Sequence, residues 1–436
     1  MKLAVIGCGY LGAVHSAAMA SVGHETVGID IDEPRIALLA SGKAPFYEPG
    51  FDELLREQTG GGLLRFSTDP AAAAGASVIF LAVGTPQTEG SNAADLRYVD
   101  AAVESLLPHI DANTLIVGKS TVPVGTAARL AEKIAHTGAK LLWNPEFLRE
   151  GFAVQDTLDP DRLVYGIADG DTASVEKLDD VYSSIIEKGT ARIITDYPTA
   201  ELVKVSANAF LATKISFINA MAEIAEQVGA DVTELADAIG VDNRIGRRFL
   251  NSGLGFGGGC LPKDIRAFQA RAIEVGAGES LRFLEEVDRV NLRRRERGYD
   301  LAAREADATS TKRVAVLGLS FKPNSDDVRD SAPLDIAARL HATGYSVTAY
   351  DPKARETARR LHPGLDVRDS LADAVAQADV ILIGTEWSEF RELDPSSLET
   401  PAAVVIDGRN TLDREHWRAA GFKVVSLGRR TLEVEA

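Results

Sequence analysis

Short, uniformly apolar runs alternate with helical stretches through the first half of the chain. Lys2-Leu-Ala-Val-Ile6, Thr26-Val-Gly-Ile29, Ser77-Val-Ile-Phe-Leu-Ala-Val83, Thr114-Leu-Ile-Val-Gly118 and Lys140-Leu-Leu-Trp143 lack the polar-apolar alternation of a half-exposed strand. Strands of a parallel sheet, covered by helices on both faces, carry this pattern. From residue 199 the period changes. Leu202, Val205, Ala209, Ala212, Ile215, Ile218, Ala222 and Ala225 recur at helical spacing and predict one helix over residues 201–228, about eight turns long. A second long helix is predicted over residues 279–305, with Arg293-Arg-Arg-Glu-Arg297 as a solvated or intersubunit face. Residues 307–311 read as a linker. Beyond it, Arg313-Val-Ala-Val-Leu-Gly318, Ser346-Val-Thr-Ala-Tyr350, Ala378-Asp-Val-Ile-Leu-Ile383 and Ala402-Ala-Val-Val-Ile406 repeat the opening theme. The expected fold class is α/β: two doubly wound domains, residues 1–198 and 310–436, joined by a long-helix central domain at 199–309.

The turn after the first strand decides what the first domain binds. Gly7-Cys-Gly9-Tyr-Leu-Gly12 follows a strand and opens a small-residue helix over residues 13–22, and the next strand ends in Asp30. This is the order of a Rossmann dinucleotide site: a tight glycine turn, a helix N-terminus facing the pyrophosphate, then an acid for the ribose hydroxyls. Gly7, Gly9, Tyr10, Leu11, Gly12 and Asp30 are the expected cofactor residues. Asp30 would repel a 2′-phosphate, so NAD is expected over NADP. Arg35 is placed to cover the adenosine side. Ligands gather at the carboxyl ends of such strands, which brings in Thr85 of Gly84-Thr85-Pro86 and Thr121 of Lys119-Ser-Thr-Val-Pro123. In the C-terminal repeat Gly318-Leu-Ser-Phe-Lys322 lacks the glycine spacing, so a second dinucleotide is not expected. Lys322, Arg329 and Arg409 near strand ends suit a diphosphate-bearing substrate instead.

A second piece of chemistry lies at Gly253-Leu-Gly-Phe-Gly-Gly-Gly-Cys260-Leu-Pro-Lys-Asp264, where a cysteine ends a glycine-rich loop and Pro262 signals the first turn of a helix. The N-terminal dipole favours an anion there, so the thiol's ordinary value of about 8.5 should fall, helped by Lys263. Cys260 is the expected nucleophile, and Cys8 a packed small residue. Lys204 and Asn208 stand four apart on the predicted long helix, hence on one face. If the stretch after Pro145 is one helical turn, Glu146 and Glu150 also share a face.

Composition narrows the class without changing this picture. The 436 residues are 45% hydrophobic and 25% charged, a globular composition with room for two or three domains. A formal net charge of -17 argues against nucleic-acid or anionic-membrane binding, so an anionic ligand must meet a local basic pocket. Two cysteines do not make a disulfide framework, which fits a reducing compartment. The first residues form a strand rather than a signal peptide, and no long apolar span follows; the expected location is the cytoplasm.

Together these residues resemble the UDP-glucose/GDP-mannose dehydrogenase family over essentially the full length. The matching pieces are Gly7-Cys-Gly-Tyr-Leu-Gly12, Val83-Gly-Thr-Pro86, Ser120-Thr-Val-Pro123, Asn144-Pro-Glu-Phe-Leu-Arg-Glu150, Glu201-Leu-Val-Lys-Val-Ser-Ala-Asn208, Gly255-Phe-Gly-Gly-Gly-Cys-Leu-Pro-Lys-Asp264, Phe321-Lys322 and Asp407-Gly-Arg409. The resemblance implies oxidation of a nucleotide-sugar 6-alcohol to the acid with two NAD+, no metal, and a homodimer or higher homo-oligomer. It casts Cys260 as the group that forms a thiohemiacetal and then a thioester, Lys204 and Asn208 as oxyanion donors, and Glu146 and Asp264, with Thr121, as acid-base groups. Glu150, Lys263 and Arg329 are implied on the NAD side. Phe147, Leu148, Glu150, Lys204, Asn208, Phe249, Leu250, Asn251, Ser252, Gly253, Gly257 and Lys322 are implied around the sugar nucleotide, bracketed by Arg244 and Arg409, with Arg244 a candidate to cross between subunits. The chain departs from the family in Gly259, where most members have serine, and in Leu261, where UDP-glucose enzymes often have phenylalanine. Glu48-Pro-Gly50 and Phe249-Leu-Asn-Ser252 resemble the UDP-glucose branch. UDP-glucose is the expected substrate, GDP-mannose or another hexose nucleotide such as dTDP-glucose the alternative. A non-catalytic NAD and nucleotide-sugar sensor would need none of Cys260, Lys204, Asn208 and Asp264.

Overall fold

A computed structural model describes residues 1–434. The chain divides into two compact units: Met1–Ala207 with Arg266–Gly278, and Asn208–Ile265 with the residues from Glu279 onward.

The first unit is built on an eight-stranded sheet of β1 Lys2–Ile6, β2 Glu25–Ile29, β3 Leu64–Ser67, β4 Val78–Leu81, β5 Leu115–Gly118, β6 Lys140–Trp143, β7 Arg162–Ile167 and β8 Ala191–Asp196. Its order is β3-β2-β1-β4-β5-β6-β7-β8. Every pair is parallel except β6 with β7, which meet antiparallel at Trp143 and Gly166. Leu3 and Val5 pack into one core and Ala4 and Ile6 into another, on opposite faces of the sheet. That double burial explains why β1 shows no hydrophobic alternation. Strand order reverses between β1 and β4, so the loops that follow these two strands flank a crevice at their carboxyl ends.

In the second unit β9 Arg313–Leu317, β10 Ser346–Tyr350, β11 Asp366–Val367, β12 Val380–Ile383, β13 Val404–Asp407 and β14 Lys423–Ser426 form an all-parallel sheet, ordered β11-β10-β9-β12-β13-β14. This repeats the doubly wound order of the first six strands. The mixed α/β class with two Rossmann-like sheets and a helical central stretch is the one the sequence predicts.

Three helices matter for the sites. The long helix Tyr197–Val228 starts four residues earlier than its hydrophobic rhythm indicates. Asp196, the last residue of β8, accepts the Thr199 amide at 2.7 Å and starts the helix directly from the strand. Leu261–Glu274 begins immediately after Cys260. Phe283–Asp307 carries the arginine run; Arg293 and Glu296 are exposed, as a solvated or intersubunit face requires, but the two arginines between them are not. Arg294 is fully buried and Arg295 nearly so, because this side of the helix packs within the second unit. The segment after Pro145 also departs from expectation: residues 144–149 are irregular, so Glu146 and Glu150 share no helical face.

Candidate active site

At the end of β1 the chain turns at Gly7 (φ +91°), where a side chain would meet the Val83 backbone at 2.8 Å. A Cβ on Gly12 would strike the Gly7 carbonyl at 1.8 Å, so the helix Tyr10–Ser21 packs this close only with glycine there. Gly9 differs. It is the helix N-cap, with no side-chain cap, and a Cβ there would meet nothing within 4 Å. The fold itself therefore leaves its amides exposed to a ligand, and the donor set fits a pyrophosphate. Asp30 accepts the Cys8 amide at 2.7 Å and the Asp32 amide at 3.0 Å, and pairs with Arg35 at 3.1 Å. The carboxylate is thus fixed at the tip of β2, where a ribose diol would sit, with Arg35 beside it. Leu11 is partly buried behind the turn. Cys8 is fully buried, and burial together with Asp30 pushes its thiol far up, so it is a packed residue and not a nucleophile.

The loops after β4 and β5 are tied together. Thr85 Oγ1 donates to the Thr121 carbonyl at 2.7 Å, and Ser120 Oγ to the Val83 carbonyl at 2.7 Å. Buried Glu201, in the first turns of the long helix, accepts the Gly125 and Ala127 amides at 2.7 Å each and anchors that loop to the helix. One turn further, Lys204 meets Glu146 at 2.9 Å with both side chains largely shielded. The other Glu146 oxygen accepts the Leu148 amide at 2.6 Å, which holds the irregular loop in shape. Lys204 Nζ lies 5.6 Å from the Phe147 ring, whose face also receives Arg162 at 3.8 Å. The structure thus joins three predicted residues, Glu146, Phe147 and Lys204, into one cluster. Glu150, partly buried, follows on the same loop.

In the second unit the glycine loop is explained by crowding. A Cβ on Gly257 would meet the Asp330 carbonyl at 2.2 Å, and Gly258 (φ +85°) faces the Phe321 ring at 2.8 Å. The loop emerges at Cys260, whose side chain is exposed and whose carbonyl accepts the Asp264 amide at 2.9 Å as the first bond of the Leu261–Glu274 helix. Cys260 is therefore the N-cap residue by backbone geometry. Asp264, one turn in, is almost fully buried; its carboxylate accepts Asn208 Nδ2 at 2.7 Å and pairs with Lys263 at 2.7 Å. Three predicted catalytic residues, Cys260, Asn208 and Asp264, are brought together by the start of one helix and one residue of another.

The expected substrate residues of this unit are distributed as follows. Arg409 donates to the Gly384 carbonyl at 2.7 Å and the Gly255 carbonyl at 2.9 Å, so it braces the glycine loop, and burial lowers its pKa. Ser252 Oγ accepts Asn410 Nδ2 at 3.0 Å, Leu250 is buried, and Asn251 accepts Arg247 at 2.7 Å. Phe249 holds a left-handed φ of 65° and stays exposed. Lys322 lies over the Phe321 ring at 5.2 Å. Arg329 pairs with Asp327, and its guanidinium stands where a Gly259 side chain would be, 2.5 Å from the ideal Cβ. Arg244 is strongly exposed and pairs with its near neighbour Asp242. In the C-terminal repeat Asp351, the counterpart of Asp30, is wholly buried and accepts the amides of Leu319, Ser320, Lys353 and Ala354. It closes its own turn and has no oxygen left for a ribose.

The NAD binding domain of the UDP-glucose/GDP-mannose dehydrogenase family matches residues 1–233, its central domain residues 198–293 and its UDP binding domain residues 315–414. The chain belongs to this family. It is an NAD-dependent oxidoreductase. A UDP-glucose 6-dehydrogenase of Rhizobium meliloti (strain 1021) is 40% identical over 439 residues, covering 98% of this chain and 100% of that protein. A UDP-glucose dehydrogenase from Pyrobaculum islandicum superposes with a TM-score of 0.89 at 35% identity, over 98% of each chain. A UDP-D-ManNAc dehydrogenase from Pyrococcus horikoshii follows at TM-score 0.83 and 27% identity, over 98% of this chain and 99% of that one.

Several residues that hold these loops in place lie outside the predicted site residues. Glu48, only 4% exposed, accepts the Gly151 and Ala153 amides at 2.7 Å each and the Tyr10 hydroxyl, joining the cofactor helix to the loop after Glu150. Asn291 brackets Phe256, accepting its amide at 2.7 Å and donating to its carbonyl at 3.0 Å. Asn219 accepts the Gly253 amide at 2.9 Å and Arg294 donates to the Gly253 carbonyl at 3.0 Å. A polar residue amid an apolar helical rhythm, as at Asn219, is the one hint available from sequence. Among the described residues no helix is long and apolar enough to cross a membrane, and no group of His, Cys, Asp or Glu is arranged to hold a metal ion.

Proposed function

We propose that the protein oxidises UDP-glucose to UDP-glucuronate in two NAD-dependent steps through a covalent thioester at Cys260. The observation that carries this reading is the exposed Cys260 at a helix N-terminus, one turn from an Asp264 carboxylate held by Asn208 and Lys263. NAD+ supplies two successive hydride acceptors. In the first step a basic group would take the proton of the sugar 6-hydroxyl as C6 gives up a hydride, leaving an aldehyde. The Cys260 thiolate adds to that carbonyl, and Lys204 and Asn208 donate to the oxygen. Loss of the second hydride converts the thiohemiacetal into a thioester. A water activated by Asp264 or Glu146 then releases the carboxylate and restores the thiol. The balance is one alcohol, two NAD+ and one water giving one carboxylate, two NADH and three protons.

Phe249, Leu250, Asn251, Ser252, Gly253, Gly257, Lys322 and Arg409 are assigned to the sugar nucleotide, and Asp30, Arg35, Thr85 and Thr121 to NAD. The assignment extends to a three-domain organisation at 1–198, 199–309 and 310–436. Similarity to the UDP-D-ManNAc dehydrogenase and the Leu261 departure keep other hexose nucleotides as the alternative substrates. NADH release measured with UDP-glucose, GDP-mannose, dTDP-glucose and UDP-ManNAc discriminates among them. Two NADH per UDP-glucose consumed supports the proposal; one NADH, or turnover confined to another nucleotide, overturns it.

The same proposal includes a homodimer. On the long helix Phe210, Phe217 and Ile224, spaced by sevens and therefore on one face, are 65%, 49% and 54% exposed. A stripe of this size on a water-exposed helix is the mark of an interface.

A further inference from the structure

Lys119 follows β5 and has no part in the chemistry proposed above, yet it is an almost fully buried cation. Its Nζ donates to Asn144 Oδ1 at 3.1 Å and lies 3.3 Å from the Tyr182 hydroxyl and 5.8 Å from the ring centroids of both Phe80 and Tyr182. Its hydrogen-bonding partners are all neutral. Asn144 Oδ1 also accepts the Tyr182 hydroxyl at 3.0 Å, and Nδ2 donates to the Val164 carbonyl at 3.0 Å, so this side chain is locked. Through Pro145 it leads directly into Glu146. From the helix Tyr10–Ser21, His15 packs edge-on to the same Phe80 ring at 4.5 Å, with neither ring nitrogen hydrogen-bonded. Burial and the Lys119 charge hold that imidazole neutral.

The ionic groups that act on Lys119 are Glu146, which favours its charge, and Lys204, which opposes it. Burial outweighs both and lowers its pKa from 10.5 to about 8. A methionine would fill this apolar surrounding without the cost of burying an ammonium group. The cation therefore needs a role beyond packing.

We infer that Lys119 is a positioning residue for turnover: through Asn144 it fixes the loop that carries Glu146, and it places a cation beside the Glu146–Lys204 pair. This rests on the proposed roles of Glu146 and Lys204. Because that cation is lost as pH rises through about 8, the wild-type pH profile should fall there, and removing Lys119 should remove that limb.

The test compares kcat/KM for NADH formation from UDP-glucose in the wild type, Lys119→Met and Lys119→Gln between about pH 6 and about pH 10. The glutamine keeps a donor for Asn144 without the charge. Both variants should start from a lower kcat/KM at about pH 6 and lack the wild-type fall at about pH 8. Limbs that superimpose on the wild type, with only the rate reduced, overturn the inference. Thermal unfolding supplies a readout independent of turnover. Because the unfolded chain keeps the Lys119 proton to about 10.5 and the folded one releases it near 8, the wild type should gain stability relative to Lys119→Met as pH rises through that interval. A difference that is flat with pH overturns the buried charge. Should no nucleotide sugar yield NADH, the functional reading fails; the inference is then judged by a Lys119→Met/Lys204→Met double-mutant cycle in melting temperature. Lys119→Met should stabilise more when Lys204 is present, and strict additivity would overturn the inference.

Discussion

At the scale of single residues, the two predicted chemistries rest on side chains with opposite surroundings. Asp30 is held by two amides and Arg35 at the tip of β2, and its charge should exclude a 2′-phosphate. The kcat/KM ratio for NAD+ over NADP+ should be large and should narrow in Asp30→Ala; comparable values in the unmodified protein would remove Asp30 from this role. Cys260 is exposed, so its truncation costs little packing. Cys260→Ala should keep its fold and NAD+ binding but lose acid formation. Cys260→Ser should accumulate an ester to the sugar, visible as a mass increment on the intact protein, because an ester hydrolyses more slowly than a thioester. Near-normal acid formation by Cys260→Ala would mean that the aldehyde hydrate is oxidised instead. Lys204→Ala should lose about 10²–10³ in kcat, the usual cost of one oxyanion donor.

At the scale of elements, the glycine loop and the helix Phe283–Asp307 form one device. Asn291 holds Phe256, and Arg294 and Asn219 hold Gly253, so the loop is set from behind by buried polar groups. Asn291→Leu orphans the buried Phe256 amide and should cost about 1–3 kcal/mol in denaturant unfolding. Arg294→Met removes the Nε donor to the buried Gly253 carbonyl and a 3.8 Å ion pair with Glu223, so stability should fall by about 1–3 kcal/mol while KM for the nucleotide sugar increases. A fall in stability with unchanged KM would assign Arg294 to packing alone. Two glycines of the loop should behave differently. Gly257→Ala drives a Cβ against backbone at Asp330 and should cost about 1–3 kcal/mol together with substrate binding. Gly259→Ser meets only the end of the exposed Arg329 side chain, which can swing away, and should change stability by about 0.5 kcal/mol or less.

At the scale of the whole molecule, the exposed stripe on the long helix predicts self-association. Phe217→Asp or Ile224→Asp should shift sedimentation from dimer to monomer at assay concentrations. A stable, active monomer of the unmodified chain would rule the interface out and leave Arg244 without a role across subunits.

How much of this was legible beforehand varies with the kind of signal. Strand and helix order followed from period, because a strand covered on both faces needs an unbroken apolar run and a long packed helix needs its 3.6-residue stripe. The Gly7, Gly9 and Gly12 turn and the Cys260 helix start were equally readable, since backbone conformation and helix N-termini restrict residue type locally. Pairings across the chain were not. Residues 144–149 have no helical turn because Glu146 spends one oxygen on the Leu148 amide and the other on Lys204, fifty-eight positions away. Arg294 and Lys119 carry the same charge as any surface arginine or lysine, and what buries them is the packing of distant elements. Local pattern, then, determined which elements form and where reactive groups stand. The tertiary structure alone decided which charges leave water, because the free energy of a buried charge depends on what packs around it.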